Sequence, residues 1–283
     1  MNVALILVPY DSGFKGRRAG RGPQHLLRHG IDGRLRNLGH SVRVYSLQLE
    51  PPFAAEIGAA VDLSRRLGQL LRSLAASDTL PIVLSGNCNS CIGTLSALGQ
   101  KDLGILWFDA HGDFNTPETT LSGYLDGMAL AMASGHCWRA LLATVPGFSP
   151  VPESRIVLLG LRDANDKEAE LLRRSAVTIL PAETWKSCPS LSFLEAALKG
   201  LRRNRAGKLY LHFDMDVLDC GAAKANAFST PGGLSLSTAL DSIRIIKDRF
   251  PLAACCLSAY DPAYDREDAV LNAALGILEE IAR

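Results

Sequence analysis

Two short clusters in this chain combine residue types that can do chemistry: Asp109-Ala110-His111-Gly112-Asp113 and Asp214-Met215-Asp216. Each follows an apolar run, Leu103–Phe108 and Leu209–Phe213. In an extended chain, side chains two residues apart point the same way, so Asp109 and His111 share a side, as do Asp214 and Asp216. Asp113 joins them if the chain turns after Gly112. Carboxylates at the end of a buried strand are unfavourable unless something positive meets them. Either cluster alone reads as solvated acids past a strand end. Brought to one edge, four aspartates and one histidine would repel one another without a cation. Oxygen donors plus one imidazole suit Mn²⁺ better than Fe²⁺, Zn²⁺ or another first-row ion. Five such ligands can hold two ions if a carboxylate bridges them, and an ion pair of that kind activates water towards a carbon electrophile.

The elements that must position these residues are legible as alternating patterns. Val3–Val8, Val42–Tyr45, Pro81–Leu84, Leu103–Phe108, Arg155–Leu159, Val177–Leu180, Leu209–Phe213 and Ala254–Ser258 read as strands. Their near-continuous hydrophobicity suits strands buried on both faces. Between them Ala55–Ala75, Asn89–Leu98, Asp126–Ser134, Asp166–Arg174, Leu191–Leu201, Ser237–Arg249 and Arg266–Ala282 read as helices. The alternation predicts a three-layer α-β-α fold with a mostly parallel sheet of about eight strands. Sheets of this kind bind ligands beyond the carboxyl ends of their strands, which is where both acidic clusters fall. Lys15–Gly22 is basic and glycine-rich, and reads either as a solvated loop or as part of the site mouth.

The chain has 283 residues, and no internal repeat or linker divides it, so residues 1–283 are expected to form a single domain. It is 47% hydrophobic and 21% charged, which excludes disorder and coiled coil. Thirty basic and 29 acidic residues leave a net charge of +1, giving no bulk electrostatic reason to expect nucleic acid or an anionic membrane as partner. No apolar run reaches the roughly 18 residues of a membrane span. Met1–Pro9 lacks the basic start of a secretory signal, and the seven cysteines are an odd number. Both features predict reduced thiols and a cytoplasmic protein.

The motifs resemble those of a known family. Asp109-Ala110-His111-Gly112-Asp113 followed by Phe114-Asn115-Thr116-Pro117, and Phe213-Asp214-Met215-Asp216-Val217-Leu218-Asp219, are similar to the two signature segments of the ureohydrolases, which include arginase, agmatinase and formimidoylglutamase. The resemblance runs from the Lys15–Pro23 loop to Thr230-Pro231-Gly232-Gly233-Leu234 and beyond. It implies an arginase-like fold, a two-manganese centre, and hydrolysis of a guanidino or related C–N bond. Asp109, His111, Asp113, Asp214 and Asp216 match the family's ligand positions, and Asp216 also matches a residue that holds the reacting group. Asn115, Thr120 and Ser122 resemble the arginase residues that hold a substrate α-carboxylate. Glu168 matches a residue on the α-ammonium side, Asn165 stands where arginase has an aspartate, and Thr230 belongs to the same substrate-side set. These matches imply a small guanidino-type α-amino acid as substrate rather than agmatine. Members of the family often assemble as trimers and hexamers, so a homo-oligomer is expected.

Three departures qualify the resemblance. Cys88 stands where the family has a ligand histidine, in Ser85-Gly86-Asn87-Cys88. A thiolate is softer than imidazole and a poorer match for Mn²⁺, so one of two Mn²⁺ ions is expected to be weakened or lost there, or Cys88 acts catalytically without metal. Asp126 stands at the catalytic-loop histidine and can relay a proton with a different pKa. Ala259 stands where arginase places the glutamate that pairs with the guanidinium. A guanidinium is always cationic and wants that carboxylate. An N-hydroxyguanidine is far less basic and can bind neutral. The Cys-for-His change and the amino-acid pocket together resemble the Nω-hydroxy-L-arginine hydrolases of antibiotic biosynthesis, which release hydroxyurea and ornithine. Arginase or another guanidino-acid ureohydrolase is the nearest alternative. The remaining alternatives are a non-catalytic protein on this fold and a thiol-redox protein using Cys88-Asn89-Ser90-Cys91 at a helix N-terminus. His136 and His212 read as structural, although His212 precedes Asp214 by two and could face the site; Trp107 reads as packed against a helix, and Cys255-Cys256 as core.

Overall fold

Eight apolar runs become eight strands of one parallel sheet because each is flanked by a helix that covers it. The computed structural model describes residues 1–283 apart from 51, 52, 54, 75–77, 189, 220 and 222. In chain order its elements are β1 (Asn2–Val8), β2 (Tyr10–Asp11), β3 (Phe14–Lys15), α1 (Gly22–Arg28), α2 (Ile31–Asn37), β4 (Ser41–Ser46), α3 (Glu56–Leu74), β5 (Thr79–Ser85), α4 (Cys91–Leu98) and β6 (Leu103–Phe108). There follow α5 (Ala129–Ser134), α6 (Arg139–Leu142), β7 (Ile156–Leu159), α7 (Asp166–Arg174), β8 (Thr178–Leu180), α8 (Ala182–Ser187), α9 (Ser192–Arg203), β9 (Lys208–Asp214), α10 (Leu236–Arg249), β10 (Leu252–Ser258) and α11 (Ala269–Ala282).

The sheet order is β4-β1-β5-β10-β9-β6-β7-β8. Every pairing in it is parallel. Period-two alternation splits each strand between two cores. Val3, Leu5 and Leu7 face the layer of α1, α2, α8, α9, α10 and α11. Ala4, Ile6 and Val8 face the layer of α3, α4, α5, α6 and α7. The predicted three-layer fold is the observed one. At roughly 25 cal/mol per Å² of apolar surface, this two-sided burial is the dominant stabilising contribution.

The differences from expectation are local. The helix predicted over Ala55–Ala75 spans Glu56–Leu74, and Ala75 lies outside the described residues. Residues 88–90 and 126–128 form single 3₁₀ turns before α4 and α5 rather than α-helix. The Lys15–Gly22 segment is not simply a solvated loop. Phe14–Lys15 pairs back on Tyr10–Asp11, and a 3₁₀ turn over Arg18–Arg21 leads into α1. Gly20 is buried against the segment after β5, and a Cβ on Gly86 would stand 2.3 Å from the Tyr10 carbonyl oxygen. The two glycines let these backbones touch. α1 and α2 escaped the periodicity reading because each has seven residues, too few to repeat an apolar stripe.

Candidate metal centre

β5, β10, β9 and β6 are neighbours at the middle of the sheet, and the chain leaves their carboxyl ends into one pocket. Cys88 opens the turn after β5, Asp109 follows β6, Asp214 ends β9 and Ser258 ends β10. The chain does turn after Gly112, as the sequence required: Asp113 adopts a left-handed φ of 47°. Gly112 itself has no room for a Cβ, which would lie 2.6 Å from Glu168 Oε1.

The expected residues converge. One donor atom from each of Cys88, Asp109 and Asp113 lies within 4.8 Å of the others, and the same holds for Asp109, His111 and Asp216. Asp109 is common to both triads. Asp214 joins the first group through the Cys88 thiol, which donates to its Oδ2 at 3.1 Å, and the second through the Asp216 amide, which donates to its Oδ1 at 2.8 Å. His111 Nδ1 stands 3.4 Å from both Asp109 Oδ1 and Asp216 Oδ2.

The electrostatics differ across the centre. Burial pushes the Asp113 and Asp214 carboxyls well above the usual range, and neighbouring aspartates push them further. Asp109 rises for the same first reason, opposed by His111. Burial also disfavours charge on Asp216, but His111 and hydrogen bonds from its neighbours hold it down at about 2. His111 is raised, because Asp216 and Asp109 outweigh its own desolvation. Burial raises Asp126 to about 7, against the opposing Asn89 amide and Asn87 side chain.

This donor set fits divalent cations. Among the described residues Asp113 Oδ2 is buried without a hydrogen-bond partner, and Asp109, Asp126 and Asp214 crowd it with His111 as the opposing charge. A buried, unpartnered carboxylate oxygen is rare enough to require an explanation, and a cation supplies one. Cys88, Asp109 and Asp113 would hold one ion, and Asp109, His111 and Asp216 another. Each set has two carboxylates; the imidazole completes the second for a first-row ion such as Mn²⁺, while the thiolate biases the first towards a softer one.

The residues expected on the substrate side stand differently to the pocket. Asn115, Ser122 and Glu168 line the pocket with Asp126, Ala259 and Asp261. Thr120, Asn165 and Thr230 lie outside that lining, and local chemistry shows why. The Thr120 hydroxyl accepts from the Gly123 amide in a turn. Asn165 caps α7 by accepting from the Lys167 and Glu168 amides, and acts on the pocket only by donating to Asn115 Oδ1 at 2.9 Å. The Thr230 carbonyl accepts from Arg162, and its buried hydroxyl has no partner. Glu168 accepts from the Phe114 amide at 2.8 Å, which fixes it against the ligand loop.

Other residues escaped the sequence reading. Asn226 donates to Asp216 Oδ2 at 3.1 Å and to the Ala259 carbonyl at 2.9 Å, tying the β9 and β10 loops together. Arg162 binds the carbonyls of Asp216, Val217 and Leu218 and so fixes the turn that carries Asp216. At the mouth, Arg18 pairs with Asp11 and lies over the Tyr124 ring, which stacks on Phe228. Asn87 donates to both Asp126 Oδ2, at 2.8 Å, and Tyr124. Arg18 belongs to the basic segment already read as a candidate site mouth and lies seven residues from Asp11, and Asn226 lies ten from Asp216. The Arg162 and Asn87 contacts span 54 and 39 residues, with no local motif to announce them.

The thiol-redox expectation is corrected. Cys88 and Cys91 are both free and buried. Burial raises both thiols well above the ordinary range, opposite to what a helix N-terminus was expected to do. Cys91 instead donates to the Ala129 carbonyl. Trp107 lies in the core on the side of α3, α4 and α5, as expected, and its ring also stacks on His212. His136 pairs with Glu153 and packs on Phe114, a structural role. Cys255 and Cys256 are core residues, and Cys220 lies outside the described residues.

The model of the Arginase family matches residues 1–282. The chain belongs to the arginase family. It is therefore a ureohydrolase, as the shared motifs implied. The arginase of Brevibacillus brevis is 25% identical over 291 residues, covering 99% of this chain and 97% of that one. The crystal structure of arginase from Bacillus subtilis subsp. subtilis str. 168 superposes with a TM-score of 0.91 at 22% identity, covering 100% of this chain and 98% of the other. Formimidoylglutamase from the same organism superposes at 0.77 with 18% identity, covering 99% and 86%. Among the described residues no helix is long and apolar enough to cross a membrane.

Proposed function

We propose that this arginase-family hydrolase cleaves the C–N bond of a guanidino-type α-amino acid, Nω-hydroxy-L-arginine, to give L-ornithine and hydroxyurea. The observation that carries the hydrolase reading is the pair of donor triads sharing Asp109 around an unpartnered Asp113 oxygen. Two Mn²⁺ ions are the cofactors proposed for them, the one beside Cys88 held more weakly. A bound divalent cation supplies a Lewis acid and lowers the pKa of water at neutral pH. The chain's own residues do the rest. Asp216, charged and braced by Asn226, orients the amino group of the guanidine unit. Asp126, poised at about 7, delivers a proton to the departing δ-nitrogen as water adds to the central carbon. Asn115 and Ser122 face the α-carboxylate, and Glu168 the α-ammonium.

The preference for a hydroxyguanidine rests on Ala259. Its methyl group lines the pocket where an arginine guanidinium would want a carboxylate. The nearby Asp261 does not replace that charge freely, because its Oδ1 accepts from the Ala263 amide within its own loop at 3.0 Å. A neutral hydroxyguanidine needs no such partner. The relatives named arginase favour a second reading, L-arginine itself. Comparing kcat/KM for the two substrates on Mn²⁺-loaded protein separates them. The first reading expects Nω-hydroxy-L-arginine to be preferred by about tenfold or more, which is about 1.4 kcal/mol; a preference for L-arginine rejects it.

A further inference from the structure

Behind Cys88, on the side away from the pocket, lies a polar chain that the reaction does not use directly. Cys88 Sγ is 3.2 Å from Ser258 Oγ. Ser258 Oγ is 3.0 Å from His212 Nε2, and His212 Nδ1 is 2.9 Å from the Tyr210 hydroxyl. Tyr210, His212 and Ser258 are completely buried. Such a run of polar groups inside a β-sheet is tolerated only when each is satisfied, and here each is.

The same imidazole reaches the other end of the triad. In the sheet register His212 stands opposite Trp107 on β6 and Cys256 on β10. Its ring stacks on Trp107 with centroids 3.6 Å apart and planes 7° from parallel. Trp107 Nε1 in turn donates to Asp109 Oδ2 at 3.0 Å. One buried ring therefore backs two of the three donors of the Cys88–Asp109–Asp113 group.

The chain also has a direction. A neutral imidazole offers one donor and one acceptor. If Tyr210 O–H donates to Nδ1, then Nε2–H donates to Ser258, whose own hydroxyl is left to donate to Cys88 Sγ. Tyr210 also has a hydrogen bond with the Cys256 thiol, which leaves the direction from His212 to Cys88 unchanged. The sulfur then receives a hydrogen bond whether its proton is donated to Asp214 or has left to solvent as a cation arrives. Such outer partners of ligands fix geometry, and losing one typically weakens metal binding by about 10–100-fold.

We infer that His212 is a positioning residue of the metal centre, which through Ser258 aims the Cys88 sulfur and through Trp107 braces the Asp109 carboxylate towards one shared ion. This rests on the proposed role of Cys88 as a ligand.

The test uses the full-length protein loaded with Co²⁺, whose bond to a thiolate gives a near-ultraviolet charge-transfer band. Wild type is expected to show the band and Cys88→Ser to lack it. Ser258→Ala, a one-atom deletion, is expected to diminish or shift the band and weaken Co²⁺ binding about tenfold or more. Ser258→Thr, which keeps the hydroxyl, is expected to restore both. His212→Gln, which keeps a donor of similar reach, is expected to lie between His212→Leu and wild type. If His212→Leu does not fold, the serine pair carries the test. A thiolate band present in wild type and unchanged in Ser258→Ala and His212→Gln, with Co²⁺ affinity also unchanged, overturns the inference while leaving Cys88 a ligand. No thiolate band in an active wild-type enzyme overturns the inference together with the ligand role of Cys88, and leaves the hydrolase reading standing.

Discussion

The two halves of the metal centre are built on opposite principles. Around Asp216 the charges are balanced by the protein itself: His111 lies 3.4 Å away, Asn226 and the Ala110 amide donate to the carboxylate, and the group stays ionised. Around Cys88 they are not. Asp113 and Asp214 are buried beside further acids, their carboxyls are raised, and Asp113 Oδ2 has no partner. The first half can keep its shape without a cation; the second is a site whose charge state waits for one. The difference teaches that the Cys-for-His change falls in the half where the cation matters most to the fold. The protein places no compensating positive charge beside the Cys88 thiol among the described residues.

Removing the residue common to both halves gives the largest effect. Asp109→Asn is expected to lower kcat on the order of 10³-fold, because it withdraws several kcal/mol of metal-assisted stabilisation from both groups. Steady-state kinetics and elemental analysis of the same sample check it, with a loss of bound metal expected alongside. If activity and metal content both survive, the two halves do not share Asp109.

Restoring an imidazole sharpens the contrast. Cys88→His is expected to tighten Mn²⁺ binding by about tenfold or more while leaving the affinity of the Asp109–His111–Asp216 group nearly unchanged. Calorimetric titration of wild type and variant reads the two separately. Equal tightening of both events would show that they are one coupled site.

Returning a carboxylate to the pocket wall tests the substrate side. Ala259→Glu is expected to raise kcat/KM for L-arginine relative to Nω-hydroxy-L-arginine by about tenfold, the worth of one partly buried charge-assisted contact. An unchanged ratio would remove Ala259 from the account of specificity.

The imbalance also predicts a pH dependence of stability. Asp113, Asp126 and Asp214 have carboxyls raised in the folded state, Asp126 to about 7. Between the ordinary carboxylate value near 3.8 and those raised values, the folded protein holds protons that the unfolded chain has released. Stability from these groups is therefore full below about pH 4 and is lost as pH rises through 7. Metal-free protein is expected to melt at progressively lower temperature from pH 5 to pH 8, and added Mn²⁺ to reverse the trend. Thermal denaturation in chelator and in Mn²⁺ checks this. A melting temperature that rises across that range without metal would contradict the assigned direction.

The smallest effect separates ligand from neighbour. Cys91→Ala removes a buried thiol on the α4 side and is expected to cost about 1 kcal/mol of stability with activity within about twofold of wild type. Loss of activity comparable to that of Cys88→Ala would revive a role for the pair.

The sequence carried the two acidic clusters because period-two spacing at a strand end is a local rule, and Asp109, His111, Asp214 and Asp216 obey it. All eight sheet strands were legible for the same reason: β-branched apolar runs between helices leave little choice. What escaped were relations across the sheet register. The spacing of His212 from Asp214 hinted at the site, but its link to Asp109 appears only when Trp107 is placed beside it on the adjacent strand. Asn226 and Arg162 brace Asp216 from other loops with no pattern to announce them. Thr120, Asn165 and Thr230 lie outside the pocket lining, and a motif match fixes only a position in the chain. It does not say whether a cap or a turn has already used the side chain there.

Direct titration of metal-free protein with Mn²⁺, followed by calorimetry, tests the central claim that buried acids at the strand ends exist to hold divalent cations. Two binding events of unequal strength per chain are predicted, both abolished or severely weakened in Asp109→Asn. A folded wild-type protein that takes up no Mn²⁺ at millimolar concentration would contradict it.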